Sequence, residues 1–177
     1  MGGDDGAGRP ALPAQPLLEA RWHRPALVIG DFNDEPFDDS VAHVLGATRR
    51  RDVATGAPNL PHGTDLAAIR RYLSLEPRLF NPTWAVLAAD EGPGGTLVWD
   101  GDWYLLDQIL CTTGMLGRGS IRYVDGSLRV LAPTTLETAD GKPVRFLTEG
   151  GRPRPFSPEH DDGVSDHLPL ACTIEVP

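Results

Sequence analysis

The sequence has little cysteine and no long apolar run, and each deficit excludes a class of protein. Two cysteines among 177 residues, Cys111 and Cys172, cannot build a disulfide framework. Both lie in apolar, strand-like runs, so we interpret them as buried thiols rather than as a bridge or metal ligands. No stretch approaches the roughly 20 apolar residues of a membrane span. The sequence therefore predicts neither a disulfide-stapled scaffold nor a membrane-spanning protein.

Positive charge is also scarce, with 16 Lys and Arg against 25 Asp and Glu and a net charge of −9. This balance disfavours non-specific coating of nucleic acid, although a local basic patch or a bound cation would still allow a phosphoester substrate. The first residues, "MGGDDGAGRPALPAQP", have no basic start and no apolar core. We therefore expect no secretory signal, a cytoplasmic protein, and a flexible leader over residues 1–16.

The remaining residues, 17–177, have the size of one domain, with 40% apolar residues to form a core. Short apolar runs bounded by Gly, Pro and Asp predict strands, and 3.6-residue periodicity predicts two short helices. The predicted elements are a helix end at 17–22, a buried strand at 26–30, helices from about Asp39 and over 63–74, a strand pair about Gly101 with a long strand at 103–111, a hairpin about Asp125–Gly126, a long loop at 142–163 and a terminal strand at 166–176. This order predicts an α/β sandwich with mainly antiparallel sheets.

Acidic residues lie at the ends of three predicted strands. Asp31 follows the apolar run 26–30, Asp107 interrupts a second run, and Asp166–His167 precedes the terminal strand. A buried carboxylate is costly without a partner, so Asp107 needs a donor or a cation. His167 can be that partner, because a carboxylate that accepts its ring N–H favours the imidazolium.

Each of these residues also has an ordinary structural interpretation. An aspartate after a strand is usually a turn or helix cap, Ser-Asp-His can be a simple turn, and Asp107 can pair with an arginine. Together, however, carboxylates, an amide and an imidazole are the groups that metal-assisted phosphoester cleavage requires. The combination favours a catalytic site.

Four segments carry a resemblance to a known family. "GDFND" at 30–34, "LLDQIL" at 105–110 and "SDHLPL" at 165–170 resemble, in this order, motifs of the endonuclease/exonuclease/phosphatase superfamily, and "NPTW" at 81–84 resembles its Thr-aromatic segment. The resemblance covers residues 17–177. It implies a deoxyribonuclease I-like fold, a four-layer α/β sandwich of which this chain holds only part.

The resemblance also implies a role for each matching residue. Asp31 would orient or deprotonate the attacking water, and Asn33 would donate a hydrogen bond to a phosphate oxygen. Asp107 would hold His167, and His167 would stabilise the transition state or assist proton transfer. Asp166, with Asp31, would bind a divalent cation, Mg²⁺ or Mn²⁺, because oxygen ligands suit such hard cations.

The family's first strands, which carry an asparagine and a metal-binding glutamate, have no match here. We therefore expect an N-terminally truncated sequence, the later part of the family's domain, or a chain completed by a partner or a swapped dimer. A sheet without its partner sheet would expose apolar surface and favour self-association. The expected function is a metal-dependent phosphoester hydrolase acting on nucleic acid, a lipid or a small molecule. The alternative is a non-catalytic fragment or binding module.

Other candidates remain open. Trp84 can stack on a base or substrate ring, or belong to the core. The arginines at 49–51 and 70–71 can contact phosphates, although a solvated helix end is the simpler interpretation. The Gly-rich run at 91–96 is a turn rather than a phosphate loop, because it lacks the lysine and helix of such a loop. The acids Asp34, Glu35, Asp38 and Asp39 are interpreted as caps and solvated charges, and His43, His62 and His160 as surface residues.

Overall fold

The computed structural model describes residues 24–55, 78–90, 92–117, 119–133, 135–159 and 163–176. The predicted leader, the helix end at 17–22, the helix over 63–74, Arg70–Arg71, His62 and His160 lie outside the described residues. Short strands dominate the described part. They are β1 (Leu27–Asp31), β2 (Ala47–Thr48), β3 (Leu79–Phe80), β4 (Leu97–Trp99), β5 (Asp102–Tyr104), β6 (Asp107–Cys111), β7 (Arg122–Tyr123), β8 (Arg129–Val130), β9 (Thr135–Glu137), β10 (Pro143–Arg145), β11 (Leu170–Ala171) and β12 (Ile174–Glu175).

Helical segments in the described part are short. A π-helical turn covers Ser40–Val44, α1 covers Arg51–Ala54, α2 covers Trp84–Leu87, and a 3₁₀ turn covers Thr113–Met115. The first of these confirms the helix expected near Asp39, but no side chain caps its start. None of the described helices has the length and apolar character needed to cross a membrane.

The largest sheet in the described part has the order β1-β6-β3-β2. β1 and β6 run antiparallel from the pair Leu27–Cys111 to the pair Asp31–Asp107. Successive side chains of a strand point to opposite faces. Ile109 and Cys111 accordingly enter one apolar cluster, and Leu110 enters another. The sheet is therefore packed on both faces along β6, which is its buried strand.

Smaller antiparallel pairs surround this sheet: β4 with β5, β7 with β12, β8 with β11, and β9 with β10. The result is a strand-rich mixed α/β fold with several antiparallel sheets, as the sequence predicted. The four-layer sandwich stays a prediction.

β1 confirms the strand predicted at 26–30, but the expectation that it is buried was wrong. Ile29 is 64% exposed and Val28 is 39% exposed. The physical reason is position, since β1 is the edge strand of its sheet in the described part of the chain. An edge strand packs its side chains against one neighbour only, which leaves apolar groups open to solvent.

The long strand predicted at 103–111 is divided into β5 and β6. β5 belongs to a hairpin with β4, whose turn contains Asp100 and Gly101, both with positive φ. Two positive-φ residues are the signature of a tight hairpin turn, so the turn at Gly101 is confirmed. The chain then leaves the hairpin and begins a new pairing at Asp107.

The hairpin predicted about Asp125–Gly126 was wrong in its pairing. Gly126 has φ +72° and the turn exists. β7 and β8, however, pair with β12 and β11 rather than with each other. The terminal segment enters between them, since Thr173 N–H donates to Ser127 Oγ (2.9 Å) and Val124 N–H donates to the Thr173 carbonyl (3.0 Å). The predicted single terminal strand is thereby split into two.

Both cysteines are free thiols, as expected. Cys111 is fully buried and Cys172 is half-buried. Burial raises the pKa of the Cys111 thiol to about 12 and also raises the pKa of Cys172. The long loop predicted at 142–163 was wrong in part, because residues 143–145 form β10 and pair with β9.

We predict that Leu110→Ala destabilises the protein by about 2 to 5 kcal/mol, because Leu110 is fully buried and its loss leaves a cavity. Leu136→Ala is the matched control. Leu136 is 42% exposed on β9, so its replacement by alanine should lower the free energy of unfolding by less than about 1 kcal/mol. Urea unfolding followed by circular dichroism measures both. Equal losses for the two variants would contradict this account of the core.

Candidate active site

The register of β1 against β6 places Asp31 directly opposite Asp107. Phe32 N–H donates to the Leu106 carbonyl (2.9 Å), so the next pair, Asp31–Asp107, occupies a non-hydrogen-bonded position. Side chains at such a position share a face, with Cβ atoms roughly 5 Å apart. Two like charges so close repel each other, and positive charge nearby offsets this repulsion.

His167 supplies part of that charge. Its Nδ1 lies 2.7 Å from Asp107 Oδ2, and each side chain is 24% exposed. An ionised carboxylate can only accept, so Nδ1 carries the proton and donates to Asp107. The sequence expectation that Asp107 and His167 are partners is confirmed.

The pKa of His167 is raised above its ordinary value of 6.5. Partial burial by itself lowers the pKa of the ring. The hydrogen bond to Asp107 and its charge outweigh that effect, and the charges of Asp166 and Asp31 add to it. All three predicted carboxylates are therefore close enough to act on one imidazole.

Thr96 links the backbone of Asp107 to the backbone beside His167. Asp107 N–H donates to Thr96 Oγ1 (3.2 Å), and Leu168 N–H donates to the Thr96 carbonyl (2.7 Å). Leu97 and His167 form a β-bridge beside it. Gly95 makes this packing possible, because a Cβ there would come within 2.3 Å of the Tyr104 carbonyl oxygen. Sequence reasoning did not single out Thr96, since a lone threonine in a turn carries no pattern.

The loop after β1 is built around Asp31 itself. Asn33 has φ +52°, a left-handed conformation that asparagine tolerates better than most residues. Its backbone N–H donates to Asp31 Oδ1 (2.8 Å), which closes a turn characteristic of aspartate. This bond orients the Asp31 carboxylate, and both residues are exposed at the end of the strand.

The other acids of this loop have mostly structural roles. Asp38 Oδ2 accepts the Glu35 N–H (2.8 Å), Glu35 Oε1 accepts the Leu105 N–H (3.3 Å), and Asp34 accepts the Ser40 hydroxyl. Asp39 is solvated and lies 3.1 Å from His43. The interpretation as local caps and surface charges is therefore confirmed in outline. Glu35 is the exception, because its carboxylate binds the backbone of Leu105 just before β6 rather than a helix.

A buried amide network supports the loop from the opposite face of the sheet. Gln108 Nε2 donates to the Asp34 carbonyl (2.7 Å), and Gln108 Oε1 accepts from Asn81 Nδ2 (2.7 Å). Asn81 Oδ1 accepts the Thr83 N–H (3.0 Å), and Thr83 Oγ1 accepts the Ile109 N–H (3.1 Å). Gln108, Asn81 and Thr83 are fully buried. The "NPTW" segment thus fixes β6 and the Asp31 loop together, a role that its sequence did not indicate.

Asp166 and Asp31 are the residues predicted to hold a cation. Both are exposed at the site. Within the described ranges, no group of three or more His, Cys, Asp and Glu side chains is arranged to hold a metal ion. Two carboxylates suit Mg²⁺ that keeps several water ligands, and they do not suit an ion enclosed by protein. The donor set therefore fits only an open, weakly held cation site.

Trp84 begins α2 and is half-buried. The Phe37 ring contacts it edge-on at a centroid distance of 6.1 Å, and the Arg49 guanidinium carbon lies 5.2 Å from its ring centroid. Of the other two arginines in this run, Arg50 pairs with Asp52, and Arg51 pairs with Asp125 and the Leu116 carbonyl. Trp84 is thus neither a core residue nor fully solvated.

The fold and the site together define a strand-rich α/β protein whose carboxylates and histidine gather at one edge of a sheet. A family model described as the endonuclease/exonuclease/phosphatase family matches residues 64–176, which is more than half of the chain. The chain belongs to this family of phosphoester hydrolases, as its motifs predicted. No curated protein and no solved structure shows significant similarity to the chain.

We predict that Asp107→Asn lowers the pKa of His167, because the hydrogen bond and the charge of Asp107 that raise it are lost and the lowering effect of burial remains. A raised pKa means that the ion pair stabilises the fold fully below about pH 6.5 and loses this effect as the pH rises through the folded value. In Asp107→Asn this pH dependence of stability should shrink.

Titration of the His167 ring signals by NMR measures the pKa, and urea unfolding over pH 5 to 9 gives roughly the window of the stability change. Asp39→Asn is the matched control, since it removes the exposed aspartate beside His43. It should leave the His167 titration unchanged. An unaltered His167 pKa in Asp107→Asn would show that the pair does not control the site.

Proposed function

We propose that this protein is a metal-dependent phosphoester hydrolase, and that Asp31, Asn33, Asp107, Asp166 and His167 form its active site. The single observation that supports this most strongly is the Asp107–His167 hydrogen bond opposite Asp31. The family assignment supports the reaction class, and this geometry supports the choice of residues.

Asp31 acts on the attacking water in this proposal. Its carboxylate is exposed, and the Asn33 N–H holds it in one orientation. A water that donates to this carboxylate has its oxygen aimed at a phosphorus bound over the Asp31–Asp107 face. The carboxylate orients the water and accepts its proton as the new P–O bond forms. The ester P–O bond breaks in the same displacement, and the alcohol oxygen leaves with the bonding electron pair and takes a proton from solvent water.

His167 acts on the oxygens of the phosphate. With Nδ1 bound to Asp107, the protonated ring presents Nε2–H to the phosphate, where negative charge grows in the transition state. The raised pKa keeps a larger fraction of the ring protonated near neutral pH. Asp107 is a positioning residue, because it acts through His167. The Asn33 side chain would donate a further hydrogen bond to a phosphate oxygen.

Asp31 and Asp166 would hold the Mg²⁺ or Mn²⁺ that the family generally uses. A cation bound there would neutralise the phosphate and lower the pKa of a bound water. It would also relieve the repulsion between Asp31 and Asp107. The net charge of −9 also favours a bound cation, because an acidic protein repels phosphates unless a local cation offsets its charge.

We predict that the protein hydrolyses bis(p-nitrophenyl) phosphate only with Mg²⁺ or Mn²⁺, and that His167→Ala lowers the rate by about 10²- to 10⁴-fold. Asp31→Asn should cause a loss of similar size, since it removes the group that activates water. Release of p-nitrophenolate, followed by absorbance, measures the rate. His43→Ala is the matched control, because this histidine is also next to an aspartate but is exposed.

The alternative function is a binding module that keeps these motifs without turnover. The observation that favours it is that no group of three or more potential metal ligands occurs in the described part of the chain. Metal-dependent turnover that His167→Ala abolishes would exclude this alternative. Absent turnover, with phosphate binding that still depends on His167, would establish it.

We also propose that two copies of the chain associate through β1. Its outer edge is unpaired among the described residues, and Val28 and Ile29 are exposed beside it. Such an edge is a template for pairing with a second strand, and antiparallel pairing of β1 with its own copy is a two-fold arrangement.

We predict that Ile29→Lys shifts the chain toward monomer, because a charge on the edge strand opposes pairing. Sedimentation velocity over a concentration series measures the shift. Val44→Lys is the control, since Val44 is 85% exposed but lies away from the edge. A monomeric wild-type chain at every concentration would refute the association.

A further inference from the structure

The tip of the β4–β5 hairpin carries a dipeptide, Asp100–Gly101, whose backbone is able to rearrange. The two residues form the loop between the paired residues Trp99 and Asp102, and both are exposed. An aspartate followed by glycine can close a five-membered succinimide ring, because glycine has no side chain to hinder the attack of its amide nitrogen. We propose that Asp100–Gly101 is a modification site at which the chain isomerises to isoaspartate. The modification needs only water and is independent of the proposed hydrolase activity.

The rearrangement takes place in two steps and consumes no oxidant or reductant. In the first step the Gly101 nitrogen attacks Cγ of the protonated Asp100 carboxyl group. A C–N bond forms, the C–O bond breaks, and the hydroxyl group leaves with the amide proton as water. In the second step water adds to one of the two ring carbonyl carbons, and the bond from that carbon to nitrogen breaks. Opening at Cγ restores aspartate, whereas opening at the main-chain carbon leaves the chain running through Cβ and Cγ, which is isoaspartate.

The backbone of Asp100 already has the sign of φ that ring closure favours. The ring holds ψ of the aspartate at about −120°, the value at the first central position of a type II′ turn, where φ is positive. Asp100 has φ +49° and Gly101 has φ +95°, the pattern of a type I′ turn. The two turns differ mainly by a flip of the peptide between their central residues. A Cβ at Gly101 would have nothing within 4 Å, so this peptide has room to turn over. Asp100 therefore reaches the reactive geometry without leaving the hairpin.

The pair Asp125–Gly126 is equally exposed but lacks this geometry. Asp125 is not among the described residues with positive φ. It occupies the first central position of a turn in which Ser127 N–H donates to the Val124 carbonyl (3.2 Å) and Gly126 has φ +72°. This is the pattern of a type II turn, whose ψ at that position has the opposite sign. Arg51 also pairs with the Asp125 carboxylate and holds it in its ionised form.

The pair Asp140–Gly141 is protected in a different way. Gly141 N–H donates to the Thr138 carbonyl (2.8 Å), so the nitrogen that would attack is already engaged. The hydrogen bond from the Thr138 hydroxyl lowers the pKa of Asp140, which disfavours the protonated carboxyl group that loses its hydroxyl in the first step. Asn33 also has a positive φ, but Asp34 follows it and presents a side chain that hinders attack.

The test measures isoaspartate at each pair after incubation of the full chain for weeks at mildly acidic pH. Asp100, Asp125 and Asp140 fall on different tryptic peptides, in which electron-transfer dissociation distinguishes isoaspartate from aspartate. The pairs at 5–6 and 162–163 involve residues outside the described part and are not compared. In the folded chain, isoaspartate should form at Asp100 about 5- to 30-fold faster than at the other two, the factor that corresponds to the cost of bringing an L residue to positive φ. In guanidinium chloride, where the turns are lost, the three rates should become similar.

Asp100→Glu verifies the assignment, because glutamate would have to close a six-membered ring and reacts far more slowly. This variant should lose the signal at position 100 and keep the rates at Asp125 and Asp140. Asp140→Glu is the matched control and should leave the rate at Asp100 unchanged. Near-UV circular dichroism verifies that both variants are folded. Equal rates at the three pairs in the folded chain, or no isoaspartate at Asp100 under conditions that produce it in the unfolded chain, would overturn the proposal.

Discussion

The opposition of Asp31 and Asp107 across β1 and β6 is the constraint on which the rest of the site depends. Two carboxylates on one face, with Cβ atoms roughly 5 Å apart, repel each other unless positive charge nearby offsets the repulsion. His167 meets part of this demand through its hydrogen bond to Asp107. In the proposed function, a bound cation and the phosphate would offset the rest of this repulsion.

Such an arrangement requires a rigid support, and buried polar groups provide it. Gln108 joins the Asp31 loop to the "NPTW" segment on one face, while Thr96 joins Asp107 to the strand of His167 on the other side. Among the described residues, no buried side-chain nitrogen or oxygen lacks a partner. Satisfied networks of this kind fix one geometry, because any shift leaves a polar atom unpaired at substantial cost.

Short sequence patterns predicted local structure, but they do not determine which distant strands pair with each other. The strand β1, the turn at Gly101 and the glycine turn at 126 follow from short patterns that a few neighbouring residues define. The pairing of β7 and β8 with the terminal segment depends on residues 40 or more positions apart, such as Val130 and Leu170, for which no local pattern exists. Thr96 and Gln108 were missed for the same reason. The contact between Asp107 and His167 could be predicted because the family motifs include residues that are far apart in the chain.

The structure connects the residues matched by the family model to a motif outside the matched range. The matched range, 64–176, contains Asp107, Asp166 and His167 but not the "GDFN" motif at 30–33. Five consecutive residue pairs join β1 to β6, and a slip of one residue would move Asp31 to the opposite face of the sheet. The same slip would carry Leu27 away from the apolar cluster that contains Cys111. The packing of Leu27 and the position of Asp31 therefore depend on the same strand register. The apolar core that stabilises β1 also places Asp31 near His167.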